Sequence, residues 1–84
     1  MPYIPIQRRM ELTRLEDTSY PKTPGELNFM ITRLLIWYEN DHGKSYGTMN
    51  DILGAVEAAK LEFYRRAVVP YEDEKIKQNG DVYG

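Results

Sequence analysis

The sequence predicts an all-α fold: an antiparallel helical hairpin with short extra helices at its N- and C-terminal ends. Three observations lead there. Two long stretches repeat apolar residues at helical spacing, each opens on a helix-start signature, and only the short loop Gly43 to Gly47 lies between them. At 84 residues the chain reads as one small domain, residues 1–84, with room for one modest core. Domains of that size often gain stability by assembling, so a homo-oligomer is expected.

The first helix is assigned to residues 23–43, in "TPGELNFMITRLLIWYENDHG". Thr23 suits the N-cap, Pro24 the first helical position, and Glu26 completes a capping box. Leu27, Met30, Ile31, Leu34, Leu35 and Tyr38 follow the spacing of one buried face. Gly43 is a natural stop, so the helix body runs from Pro24 to His42. A second stripe, Phe29, Ile36 and Trp37 with Arg33 between them, gives the helix another apolar face. In so short a chain, that face is expected to meet another subunit.

Residues 47–69 form the second predicted helix, opened by Thr48 and Asp51. Met49, Ile52, Leu53, Val56, Lys60, Phe63 and Ala67 share one side. Gly54, Ala55, Ala58 and Ala59 make a small-residue side that a neighbouring backbone could approach closely. The residue before a proline avoids the α region, so Pro70 is expected to break or kink the chain there. Residues 70–84 then hold a short third helix and a tail. Glu72, Asp73 and Glu74 suit that helix's positive end, Lys75 and Lys77 its negative end. Asn79-Gly80 stops it, and Tyr83 is expected to pin the tail. Residues 1–22 read as an extended "PYIPI" arm, a short helix from Gln7 to Glu16 anchored by Met10, Leu12 and Leu15, and the connecting loop "EDTSYPKTP".

Composition narrows the chemistry. With no cysteine there is no disulfide, thiolate nucleophile or cysteine metal site. The longest apolar run, Leu34 to Tyr38, falls far short of the roughly 20 residues a membrane span needs. "MPYIPIQRR" lacks the apolar core of a signal peptide, which leaves a cytoplasmic protein as the expectation. A net charge of −2 argues against a general nucleic-acid backbone binder but allows a small anionic ligand. Seven of the ten aromatic residues are tyrosine, a side chain that suits both wet core edges and ring-stacking pockets.

Catalytic constellations are not found. His42, the one histidine, has no cysteine or second histidine to complete a metal or nucleophile set, and the dipole at a helix end accounts for it. The spacing of Glu72, Asp73 and Glu74 is wrong for a calcium loop. Glu57 and Glu62, five apart, do not face each other on a helix. "YGTMN" lacks the glycines and lysine of a phosphate loop. The expectation is therefore no enzyme, no metal and no cofactor. The basic residues offer more. Arg65 and Arg66 stand next to Tyr64 with Lys60 nearby, and Arg8 and Arg9 follow Tyr3. A helix-end dipole would account for Arg65 and Arg66. Alternatively, Arg65, Arg66, Tyr64, Lys60, Arg8, Arg9 and Tyr3 would clamp phosphates while a ring stacks on a base.

The strings "YIP" (Tyr3 to Pro5), "TPGELNFMITRLL" (Thr23 to Leu35) and "KLEFYRRAVVPYEDEKIKQNGDVY" (Lys60 to Tyr83) cover about half of the chain. On them the chain resembles a family of short uncharacterised phage and bacterial proteins. No characterised active site comes with that resemblance. In size and helical build the chain is also similar to the small phage sponges that bind cyclic nucleotide signals of bacterial immunity without cutting them. That resemblance implies an oligomer in the host cytoplasm holding an anionic nucleotide-like signal. The competing expectation is a module that binds or inhibits a host protein through Phe29, Arg33, Ile36 and Trp37.

Overall fold

The computed structural model describes residues 3–13 and 20–84. Their regular structure is all helical, with no strand among them: α1 (Ile6–Thr13), α2 (Pro24–His42), α3 (Tyr46–Phe63), a π-helical turn (Tyr64–Val68) and α4 (Val69–Asn79).

The expected start and stop of α2 are found. The Thr23 hydroxyl accepts the Glu26 N–H at 3.1 Å, Pro24 occupies the first turn, and Gly43 leaves the helix at φ 87°. The Glu26 carboxylate accepts the Lys22 N–H at 2.8 Å, one residue short of the reciprocal bond of a capping box. The start of α3 differs from expectation. Ser45, not Thr48, is the N-cap, its hydroxyl accepting the Thr48 N–H at 3.1 Å. A serine three residues ahead of an N–H is as good a cap as a threonine, and it lengthens the helix by a turn's fraction. Thr48, 7% exposed, is the one buried residue among those described.

Pro70 does not break the chain. Val69, ahead of it, keeps helical angles (φ −60°, ψ −51°), and α3 runs through the π-helical turn into α4. Proline lacks an N–H and its ring collides with the carbonyl four residues back. Widening the preceding turn relieves that collision: the Val69 N–H donates to the Tyr64 carbonyl five residues back. Two sequence expectations fall with the missing break. Arg65 and Arg66 are not at a helix end, and Glu72, Asp73 and Glu74 do not face a free N-terminus. The dipole explains neither group.

The largest correction concerns the core. None of the hydrophobic side chains among the described residues is buried. The face of α2 expected inside is open, with Leu34 51% exposed, and so are Leu27, Met30, Ile31 and Tyr38. On α3, Met49, Leu53, Val56 and Phe63 are exposed as well. Periodicity shows that a face is apolar, not that its own chain covers it. Helices α2 and α3 touch, and the least exposed residues of α2 are Leu35, from the face expected inside, and Glu39 one turn on. At Gly54, on the small-residue side of α3, no neighbour among the described residues comes close: an added Cβ would meet nothing within 4 Å. In α1, Met10 and Leu12 are exposed, while Leu15 and the loop's first residues lie outside the described residues. Tyr83 pins nothing and is 97% exposed; its N–H donates to Asp81. The Cα radius of gyration is 16.7 Å, where a compact chain of this length has about 12 Å.

Candidate contact surface and arginine cluster

Two features stand out: an apolar surface on α2 and α3, and a polar cluster where the N-terminal arm meets the end of α3.

The cluster centres on Glu62, which is not among the site residues expected from the sequence. The Tyr3 hydroxyl donates to its carboxylate across a separation of 59 residues. One Nη of Arg65 donates to both of its oxygens, at 3.1 and 3.2 Å. The Tyr3 hydrogen bond first, and the Arg65 guanidinium after it, hold the Glu62 carboxyl below its usual range. Arg9 joins from α1, donating through Nε to the Ile4 carbonyl and lying 6.0 Å from the Tyr3 ring centre. The fold thus brings Tyr3 and Arg65, from opposite ends of the sequence, to one acid, with Arg9 beside the Tyr3 ring.

The other cationic candidates are dispersed. Arg8 pairs with Glu11 at 3.2 Å and Lys60 with Glu57 at 3.5 Å, each within its own helix. The ion pairs among the described residues do not include Arg66. Tyr64 turns away from the cluster and donates to Glu72 at 3.2 Å, a contact eight residues along that the wide π turn makes reachable. That hydrogen bond raises the Tyr64 pKa, because it favours the neutral phenol. His42 is occupied locally: its ring stacks on Tyr38 at 3.9 Å, and Nδ1 lies 3.0 Å from the Tyr38 carbonyl. Among the described residues no three metal-binding side chains come together.

These contacts titrate. Glu62 is depressed on folding, so its contribution is fully present above the ordinary glutamate range and lost as pH falls through its lower folded value. Acidification is expected to release the arm, raising amide exchange at Arg9 while the α3 amides stay protected. Glu62→Gln should release it at neutral pH; an arm equally protected in that variant would mean that the Tyr3–Glu62 bond does not hold it. Tyr64 has the opposite sign. Its contribution is present below the ordinary tyrosine pKa and lost as pH rises through the higher folded one. Glu72→Gln is expected to return the Tyr64 titration, followed by ultraviolet absorbance, towards that of a free tyrosine.

The apolar surface is larger than the stripe Phe29, Ile36 and Trp37, all three of which are exposed. The Arg33 guanidinium lies 5.1 Å from the Trp37 ring centre, a cation–π contact that holds the indole against its own helix. On the side where the two helices meet, an open groove of about 330 Å³ runs between Leu35 and Ile36 of α2 and Met49, Ile52 and Leu53 of α3. None of the helices among the described residues is long and apolar enough to cross a membrane.

A family model described as a domain of unknown function, DUF6899, matches residues 1–82. The chain belongs to the DUF6899 family. The match takes in the N-terminal arm, the arginine cluster and both apolar helices, so each feature lies within the DUF6899 domain. None of the curated proteins matches the chain, and none of the solved structures does.

Proposed function

We propose that this DUF6899 chain is a non-enzymatic binding protein whose working surface is the apolar flank of α2 and α3, arranged as an antiparallel hairpin. The observation that carries this reading is that none of the described hydrophobic side chains is buried, although two of the helices are rich in them. Exposed apolar surface on that scale marks a protein contact, and a helix apolar on both sides belongs inside a larger core. A photoreactive phenylalanine analogue placed at Phe29 is expected to form adducts with protein on illumination in the producing cell. A chain that stays free from that position, and from Trp37 and Leu53, would overturn the reading.

The second reading is a phage-type sponge in the host cytoplasm that sequesters an anionic nucleotide-like signal. Its support is the meeting of Tyr3 and Arg65 at the end of α3, next to Arg66 and with Arg9 beside the Tyr3 ring. It ranks second because Glu62 already neutralises part of that charge, and a phosphate would have to displace it. Calorimetric titration with a panel of cyclic nucleotides tests it: heat that disappears in Arg66→Ala supports it, and no heat at tens of micromolar protein overturns it.

A further inference from the structure

We infer that the occupant of the apolar flank is a second copy of this chain, bound through α2 and α3 as a closed helical dimer. The inference rests on the contact-surface reading above and names its partner.

Area is the first argument. A folded monomer of 9.9 kDa exposes about 5,200 Å². This chain exposes 7668 Å². The excess, 7668 minus 5,200, is about 2,500 Å² per chain. A transient partner of standard size covers only about 800 Å² on each side and would leave most of that excess in water. Two copies covering half of each other's excess bury about 2,500 Å² in all, which lies in the range of obligate homodimers.

Chemistry is the second argument. Obligate interfaces resemble a domain core cut in half and are poor in charge. From Leu27 to Tyr38, α2 has one charged residue, Arg33; from Tyr46 to Val56, α3 has one, Asp51. A two-fold contact applies the same patch to itself, so residue i of one copy meets j of the other and the reverse. One cation on one helix and one anion on the next make a self-complementary pair under that operation. A target of unrelated sequence would need its own matching arrangement.

Geometry is the third. Helix α3 meets α2 near Leu35 and Glu39 and leaves the rest of both apolar stripes of α2 exposed. A second helix pair laid against one stripe gives that face the neighbour it lacks, and the groove beside Leu35, Ile36 and Met49 has room for its side chains.

Native mass spectrometry and sedimentation of the purified full chain, with the Phe29 photoprobe, test the inference. The expected result is a mass of 19.8 kDa, twice 9.9 kDa, with chain-to-chain adducts from the probe. A mass of 9.9 kDa at tens of micromolar, with no chain-to-chain adduct, overturns the inference. In that case adducts with a different protein in the cell would leave the contact-surface reading standing, and no adduct of either kind would remove both.

Discussion

Thermal unfolding of this chain is expected to depend on protein concentration. A chain that buries no hydrophobic side chain among its described residues has little of its own to hold the helices together, since most helical stability comes from packing an apolar face. Folding is then coupled to association, and each tenfold dilution removes about 1.4 kcal/mol from the folded dimer. For two chains of this size that corresponds to roughly 3–5 °C in the midpoint. The chain has one tryptophan, Trp37, 49% exposed on the uncovered face. Its emission should move to longer wavelength on dilution, in step with the loss of helical circular dichroism. A midpoint constant from nanomolar to hundreds of micromolar would mean that one chain folds alone.

Trp37→Ala is expected to weaken self-association by at least about 2 kcal/mol, some 30-fold in the dissociation constant. Tryptophan carries a large apolar area, and here it also holds the Arg33 guanidinium. Truncation removes that area and leaves the arginine without its ring, at a place where an apolar neighbour must dehydrate it. Tyr83→Ala is the control. That side chain touches little of the fold, and its loss should move stability by no more than about 0.5 kcal/mol. Equal effects from the two substitutions would place Trp37 outside any contact. Sedimentation across a dilution series measures both.

Local signals in the sequence located the helices well. The Thr23 cap, Pro24 and Gly43 fix α2 because each acts through its nearest neighbours in the chain. The start of α3 shifted because Ser45 and Thr48 cap equally well, and nothing local separates them. Pro70 was harder: its usual effect is to stop a helix, but one wide turn accommodates it at less disruption than a break. Burial was not legible at all. Spacing identifies which residues share a face, while what covers the face depends on surfaces far apart in sequence or on another molecule. The same holds for Glu62. Its pairing with Arg65, three residues on, follows helical spacing, but its bond to Tyr3 crosses most of the chain.

The π turn sets a phase. A regular helix from Tyr46 to Asn79 would keep its surface pattern in step from end to end. Fitting one extra residue into the turn at Tyr64–Val68 rotates everything beyond it, so the flank that α4 presents is offset from that of α3. The two halves of one rod about 51 Å long, at 1.5 Å per residue, therefore point in different directions. A neighbour that follows one line of side chains along α3 therefore meets a different line on α4.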